Sequence, residues 1–185
     1  MADITHAAEH NDLDGLRRLI DLQKATDPEY DANRMPYTKG MQLASVAAAR
    51  RNHPVAVGLL LDSGCWINVE LVEAALSGHY KDVFDSLIAR GWNVSSNLGH
   101  SGDALLIAIG RNNQEMVQYL LSRGADPNAN TTIGTYRALE SAAYGASIPI
   151  LEGLLDAGAE LRGRRALPKA AGEGRIDAAR TWCGL

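Results

Sequence analysis

Five histidines and two cysteines are the residues best suited to metal, nucleophilic or acid–base chemistry in this 185-residue chain, and their spacing supports little of it. His6 and His10 stand four apart, which puts both imidazoles on one face of a helix at a metal-compatible distance. No third ligand lies near them in sequence, so no metal site is expected. Cys65 and Cys183 are far apart and form no CxxC pair. Neither a disulfide framework nor a zinc site follows, and a reducing compartment is the natural reading. His100 differs from the other histidines because it lies in the polar stretch "NVSSNLGHSGD", with glycines on both sides. Imidazole in such a loop is available for proton transfer, which makes His100 the one catalytic candidate, beside its plainer reading as a polar loop residue. The patterns GxGxxG after a strand, GxxxxGK[ST], HExxH and GxSxG are all absent, and no cofactor is expected.

Composition narrows the setting. With 46 % hydrophobic and 22 % charged residues, the chain has enough apolar material for one well-buried domain, residues 1–185. Its apolar runs are too short to span a bilayer, and "MADITHAAEHND" lacks the basic start and apolar core of a secretory signal. A cytoplasmic or nuclear protein that does not enter membranes is expected. The net charge of −4 argues against general nucleic-acid binding. Residues 162–185 depart from that balance, with six Lys/Arg against two Asp/Glu. This basic end could steer an acidic partner, or it could be a solvated polar cap.

The elements that would position any site are read from hydrophobic spacing. In "DALLIAIGRNNQEMVQYLLSRGADPN", Leu105, Ala108 and Ile109 share one helical face. After Asn112-Asn113, the residues Met116, Val117, Leu120 and Leu121 share a second. Asp103 is placed to cap the first helix, and Gly124 to close the second in a left-handed conformation. Related units recur along the chain at about 3–23, 43–64, 69–91, 103–126, 137–160 and 165–183, with a long insertion at 24–41. Their first small residues, at 7, 48, 74, 108, 142 and 170, recur at intervals near 33, the period of a stacked helical array. Each helix pair has an apolar face too large to leave wet and too small to form a core alone, so stacking is what covers it. The alanines allow first helices to approach closely, and the second helices bring bulk such as Leu60, Leu87, Leu120 and Leu154. An all-α solenoid of five to six repeats follows. The unequal bulk should curve the stack and put the first helices and loops on its concave side.

The series resembles the ankyrin repeat. The residues that carry the resemblance are "GADPN" at 124–128, "GAE" at 158–160, "GH" at 78–79 and "NH" at 52–53, each in register with a helix pair. The Thr-Pro-Leu-His signature of that family appears in none of the units; "LASV", "VELV", "DALL" and "RALE" stand in its place. The resemblance therefore implies a thinner hydrogen-bond network between turns. It also implies that His53 and His79 occupy the same turn position and bond to backbone there.

The resemblance further implies where recognition takes place: in the loop before each first helix and at the two residues after its small pair. Carried onto this sequence, the latter are Glu9 and His10, Arg50 and Arg51, Leu76 and Ser77, Gly110 and Arg111, and Tyr144 and Gly145. The loop positions include Lys39, Gln42, Trp66, Asn68, His100, Ile133 and Tyr136. The candidate binding residues taken from this set are Lys39, Arg50, Arg51, Trp66, His100, Arg111, Tyr136 and Tyr144, rich in the Arg, Tyr and Trp that dominate binding hot spots. Trp92, after Gly91, reads as a packing residue. Tyr30 and Tyr37, in the insertion, either hold that segment down or reach over the groove. The functional expectation is a module that binds a partner protein along the concave face. The alternative is a small-molecule or catalytic site (proton transfer or cyclisation) in the same groove, using His100, the arginines and the tyrosines.

Overall fold

The computed structural model of the protein describes residues 3–26, 39–129 and 138–160. Tyr30, Tyr37, Ile133, Tyr136, the repeat at 165–183 with Cys183, and the basic end lie outside the described residues. The described residues form helices and connecting turns, with no strand among them. The chain divides into two compact units, residues 1–92 and 93–185. The first contains α1 (Ile4–Glu9), α2 (Leu13–Thr26), α3 (Lys39–Arg50), α4 (Pro54–Asp62), α5 (Val69–Ser77) and α6 (Lys81–Ile88). The second contains α7 (Ala104–Gly110), α8 (Gln114–Ser122), α9 (Ala138–Gly145) and α10 (Ile148–Asp156).

One closure ends nearly every helix. At the first helix of a pair, the amide three residues past the end returns to a buried alanine carbonyl. Asp12 donates to Ala7 at 2.9 Å, His53 to Ala48, Tyr80 to Ala75 and Asn113 to Ala108, each at 3.0 Å. At the second helix the acceptor is a leucine: Cys65 to Leu60, Trp92 to Leu87, Ala125 to Leu120 and Ala159 to Leu154, at 2.9–3.2 Å. This bond requires a left-handed residue just before the donor. After second helices that residue is Gly64, Gly91, Gly124 or Gly158, with φ between +83° and +100°. After first helices it is Asn11, Asn52, His79 or Asn112, with φ between +51° and +57°. Asparagine tolerates this region better than most residues with a Cβ. The equivalence of His53 and His79 is therefore corrected: the counterpart of His79 is Asn52, and His53 follows one position later. His53 still bonds to backbone, its Nε2 donating to the Glu9 carbonyl of the preceding pair at 3.1 Å.

Within each unit, first helices pack on first helices and second on second. In the first unit α1 packs on α3 and α3 on α5, while α2 packs on α4 and α4 on α6. In the second unit α7 packs on α9 and α8 on α10. Ala8, Ala44, Ala48, Ala49 and Ala75 are fully buried in the first-helix row, where small side chains let backbones approach. Leu16, Leu60, Phe84 and Leu87 fill the space between rows in the first unit, and Leu105, Met116, Leu120, Ile150 and Leu151 do so in the second. Asp103 caps α7 as expected, its Oδ1 accepting from the Leu106 amide at 2.8 Å. Polar side chains other than the missing family signature tie successive repeats together. Asn112 Oδ1 accepts from the Ser147 amide at 2.7 Å. Asn128 spans two turns, donating to the Gly158 carbonyl at 2.8 Å and accepting from the Glu160 amide at 2.7 Å.

The α3 helix starts at Lys39, one turn before the expected boundary at 43, and α2 continues to Thr26. The reason is burial: Met41 continues the inward face of Ala44, Ser45 and Ala48 by one more turn. Truncation of a fully buried second-helix residue tests the row assignment. Leu120→Ala is expected to cost roughly 2–5 kcal/mol through lost burial and a residual cavity. A fall in Tm of several degrees would show it in a thermal melt, whereas an unchanged midpoint would contradict the packing of α8.

Candidate partner-binding face

The extra turn of α3 forms one wall of a groove in the first unit. Lys39, Leu43, Val46 and Arg50 follow one another at intervals of three or four residues, so they form a single stripe along the helix, with Gln42 beside Leu43. The opposite wall is the connection into α5, with Trp66, Asn68 and Glu70. Together they line a groove of about 470 Å³ that is open to solvent. Val46 and the half-buried Trp66 are apolar, and Leu43 is 53 % exposed, unusual for its size.

Gln42 fixes the two walls. Its Nε2 donates to the Trp66 carbonyl at 3.0 Å, and its Oε1 accepts from the Trp66 amide at 3.3 Å. Asn68 then turns the chain into α5, its Oδ1 accepting from the Leu71 amide at 3.0 Å. Trp66 is thus held against α3 by a two-point bond to its backbone. Lys39, Arg50 and Arg51 are exposed, and none of them forms an ion pair with a carboxylate of the described residues.

On the far side of the same unit, charge is neutralised. Arg90 pairs with Asp62 through two bonds, Nε to Oδ1 at 2.9 Å and Nη2 to Oδ2 at 3.0 Å. Its Nη1 donates to the Ser86 carbonyl at 3.1 Å, and the guanidinium lies against Gly58, where a Cβ would collide with it. The hydrogen bonds from Arg90 hold the Asp62 carboxyl below its usual range, against a smaller opposing effect of burial. Cys65, which lines a small recess with Asp62 and Arg90, has its thiol pushed up to about 12 by burial.

In the second unit the expected residues form a smaller feature. Gly110, Tyr144 and Gly145 line a notch of about 380 Å³ together with Ile109 and Asn112, and Tyr144 is 42 % exposed. Arg111 is exposed at the end of α7. His100 is exposed on a single 3-10 turn, Gly99–Ser101, which is closed by a 2.7 Å bond from the Leu98 amide to the Gly102 carbonyl. Among the described residues no side chain orients its imidazole. His10 donates from Nδ1 to the His6 carbonyl at 2.9 Å, so that nitrogen is engaged with backbone. No group of three His, Cys, Asp or Glu converges among the described residues.

The structure thus brings Lys39, Arg50 and Trp66 to one groove. Leu76 is corrected: it is 1 % exposed and belongs to the core rather than the surface. Trp92 packs as expected, its ring 5.9 Å from that of Phe84. Sequence reasoning missed Leu43 and Val46 as lining residues because it began the helix at 43, and it missed Glu70 on the opposite wall. The interval from Lys39 through Leu43 and Val46 to Arg50 was the available signal.

Paired antiparallel helices in two rows, closed by left-handed turns, define a helical repeat solenoid. The sequence matches the family model "Ankyrin repeats (3 copies)" over residues 71–165, and the chain belongs to the ankyrin repeat family. No curated protein matches it. Among solved structures it is similar to a chain in the complex of the Bd0816 predatory endopeptidase from Bdellovibrio bacteriovorus with immunity protein Bd3460. That match has 19 % identity and a TM-score of 0.67, covering 100 % of this chain and 98 % of that one. It is also similar to the human ASB11 ankyrin repeat domain, at 18 % identity and a TM-score of 0.64, covering 98 % and 97 % of the two chains. The ankyrin repeat domain of Bcl-3, a member of the IkappaB protein family, matches at 21 % identity and a TM-score of 0.63, covering 97 % and 98 %. At these identities the likeness establishes the fold. No described helix is long and apolar enough to cross a membrane.

Burial of Cys65 gives a pH-dependent expectation. A raised thiol pKa means the stabilising contribution is complete below the unfolded value near 8.5 and is lost as pH rises toward about 12. In a Cys183→Ser background, native Cys65 is expected to react with a disulfide reagent at pH 8 more than about tenfold slower than in denaturant. Equal rates in the two states would refute the burial.

Proposed function

We propose that this protein is an interaction module that captures a protein partner on the first-helix face of its N-terminal unit, centred on the groove beside α3. Ankyrin repeats are a protein-interaction fold, and the endopeptidase complex shows a similar chain within a protein–protein assembly. The observation that carries the reading is the coincidence of Leu43, an exposed large apolar side chain, with Lys39 and Arg50, cations that form no ion pair among the described residues, on a wall fixed by Gln42. An exposed apolar strip rimmed by charge is what a binding surface requires. The cations set orientation and on-rate, and the apolar centre supplies contact energy.

Selection of binders from a displayed library of protein fragments tests this reading. Selected binders are expected to lose about tenfold or more in affinity for Arg50→Glu/Arg51→Glu, a change of about 1.4 kcal/mol. They should keep their affinity for Arg17→Glu/Arg18→Glu, which alters exposed charges on α2. Binders indifferent to the first pair of changes would overturn the assignment of this face.

A further inference from the structure

The groove also limits the chemistry of what fits it, an inference that rests on the reading above. We infer that its ligand is an extended segment of a partner protein in which one apolar side chain is flanked, two residues away on each side, by carboxylates.

Lys39 and Arg50 are eleven residues apart, so they lie roughly 16 Å apart along α3, at a rise of about 1.5 Å per residue. Eleven residues also amount to about three full turns, so the two cations share one face. An extended segment rises about 3.3 Å per residue and puts alternate side chains on the same side. Carboxylates at positions i and i+4 then face the groove about 13 Å apart, and the long Lys and Arg side chains close the remainder. Position i+2 falls midway, over Leu43 and Val46 and beside Trp66.

Neither Lys39 nor Arg50 has an ion-pair partner among the described residues, although carboxylates are numerous on this acidic chain. Glu70 lies in the same lining and reduces its charge to a net +1. The two cations at the ends of an apolar floor therefore select carboxylates at the ends of the ligand and an apolar side chain between them. A ligand without the central side chain leaves Leu43 wet, and one without the acids leaves two cations unmatched.

The probe is a capped peptide with the core Glu-Ser-Leu-Ser-Glu, titrated into the full chain and followed by NMR at the Trp66 indole and the Leu43 methyl groups. Saturable shifts at both positions are expected. Replacing either Glu by Gln should weaken binding about two- to fivefold, the range for exposed charge pairs, and replacing Leu by Ser should abolish it. Arg50→Glu should weaken binding likewise, with recovery when the facing Glu of the peptide is replaced by Lys. Glu70→Gln should strengthen it. Equal binding of the Gln peptides, or no saturable shift, would overturn the inference. If fragments that depend on Arg50 and Arg51 are selected but lack the acid–apolar–acid spacing, this inference fails while the interaction reading stands. If no selected fragment depends on that face, the interaction reading itself fails.

Discussion

The closing bond at nearly every described helix end, an amide returning five residues to a buried alanine or leucine carbonyl, is the constraint on which the repeat depends. A helix leaves its last carbonyls without partners, and in a stacked array several of those carbonyls lie next to the core. The left-handed residue before the donor turns the chain sharply enough to satisfy one of them and to start the next helix antiparallel to the last. Because the bond recurs at the same place in successive pairs, first helices meet first helices and second helices meet second helices. Asn11, Asn52, His79 and Asn112 perform this role between the helices of a pair, and four glycines perform it between pairs. The last described pair is different: Ala146 returns to Ala142, and α10 begins after an extended Ser147 whose amide is taken by Asn112 of the neighbouring pair.

Once register is fixed, side chains outside the core can diverge. The first-helix row is built on alanines, so its inward face is nearly uniform, and its outward positions can vary without disturbing the core. That is how α3 carries Lys39, Leu43 and Arg50 outward while Ala44, Ala48 and Ala49 remain buried on the same helix. Gln42 stands at the boundary between these faces. Its amide group satisfies both backbone groups of Trp66, so one side chain both anchors the loop and shapes the groove. On the opposite side of the unit, Arg90 and Asp62 neutralise each other and leave that surface without an uncompensated cation at this point.

The helix pairs, their rows and the capping by Asp103 were legible from spacing alone, because a 3.6-residue period and a left-handed stop act locally. The family resemblance added the register from which Lys39, Arg50 and Trp66 were chosen, and they do share a groove. Two local readings slipped. The pairing of His53 with His79 followed the letters of the motif, whereas backbone conformation aligns His79 with Asn52. The start of α3 was placed one turn late, which hid Leu43 and Val46 as groove residues and put Gln42 in a loop.

Sequence by itself determined that amphipathic helices come in pairs near a 33-residue period and that each pair must be covered by another, since its apolar face cannot stay in water. Tertiary structure decided which side chains outside that core meet. Trp66 lies 24 positions beyond Gln42, and only the packing of α5 on α3 brings its loop within hydrogen-bond reach of that amide. No local period encodes such a contact, because it depends on the relative placement of two helices rather than on the conformation of either.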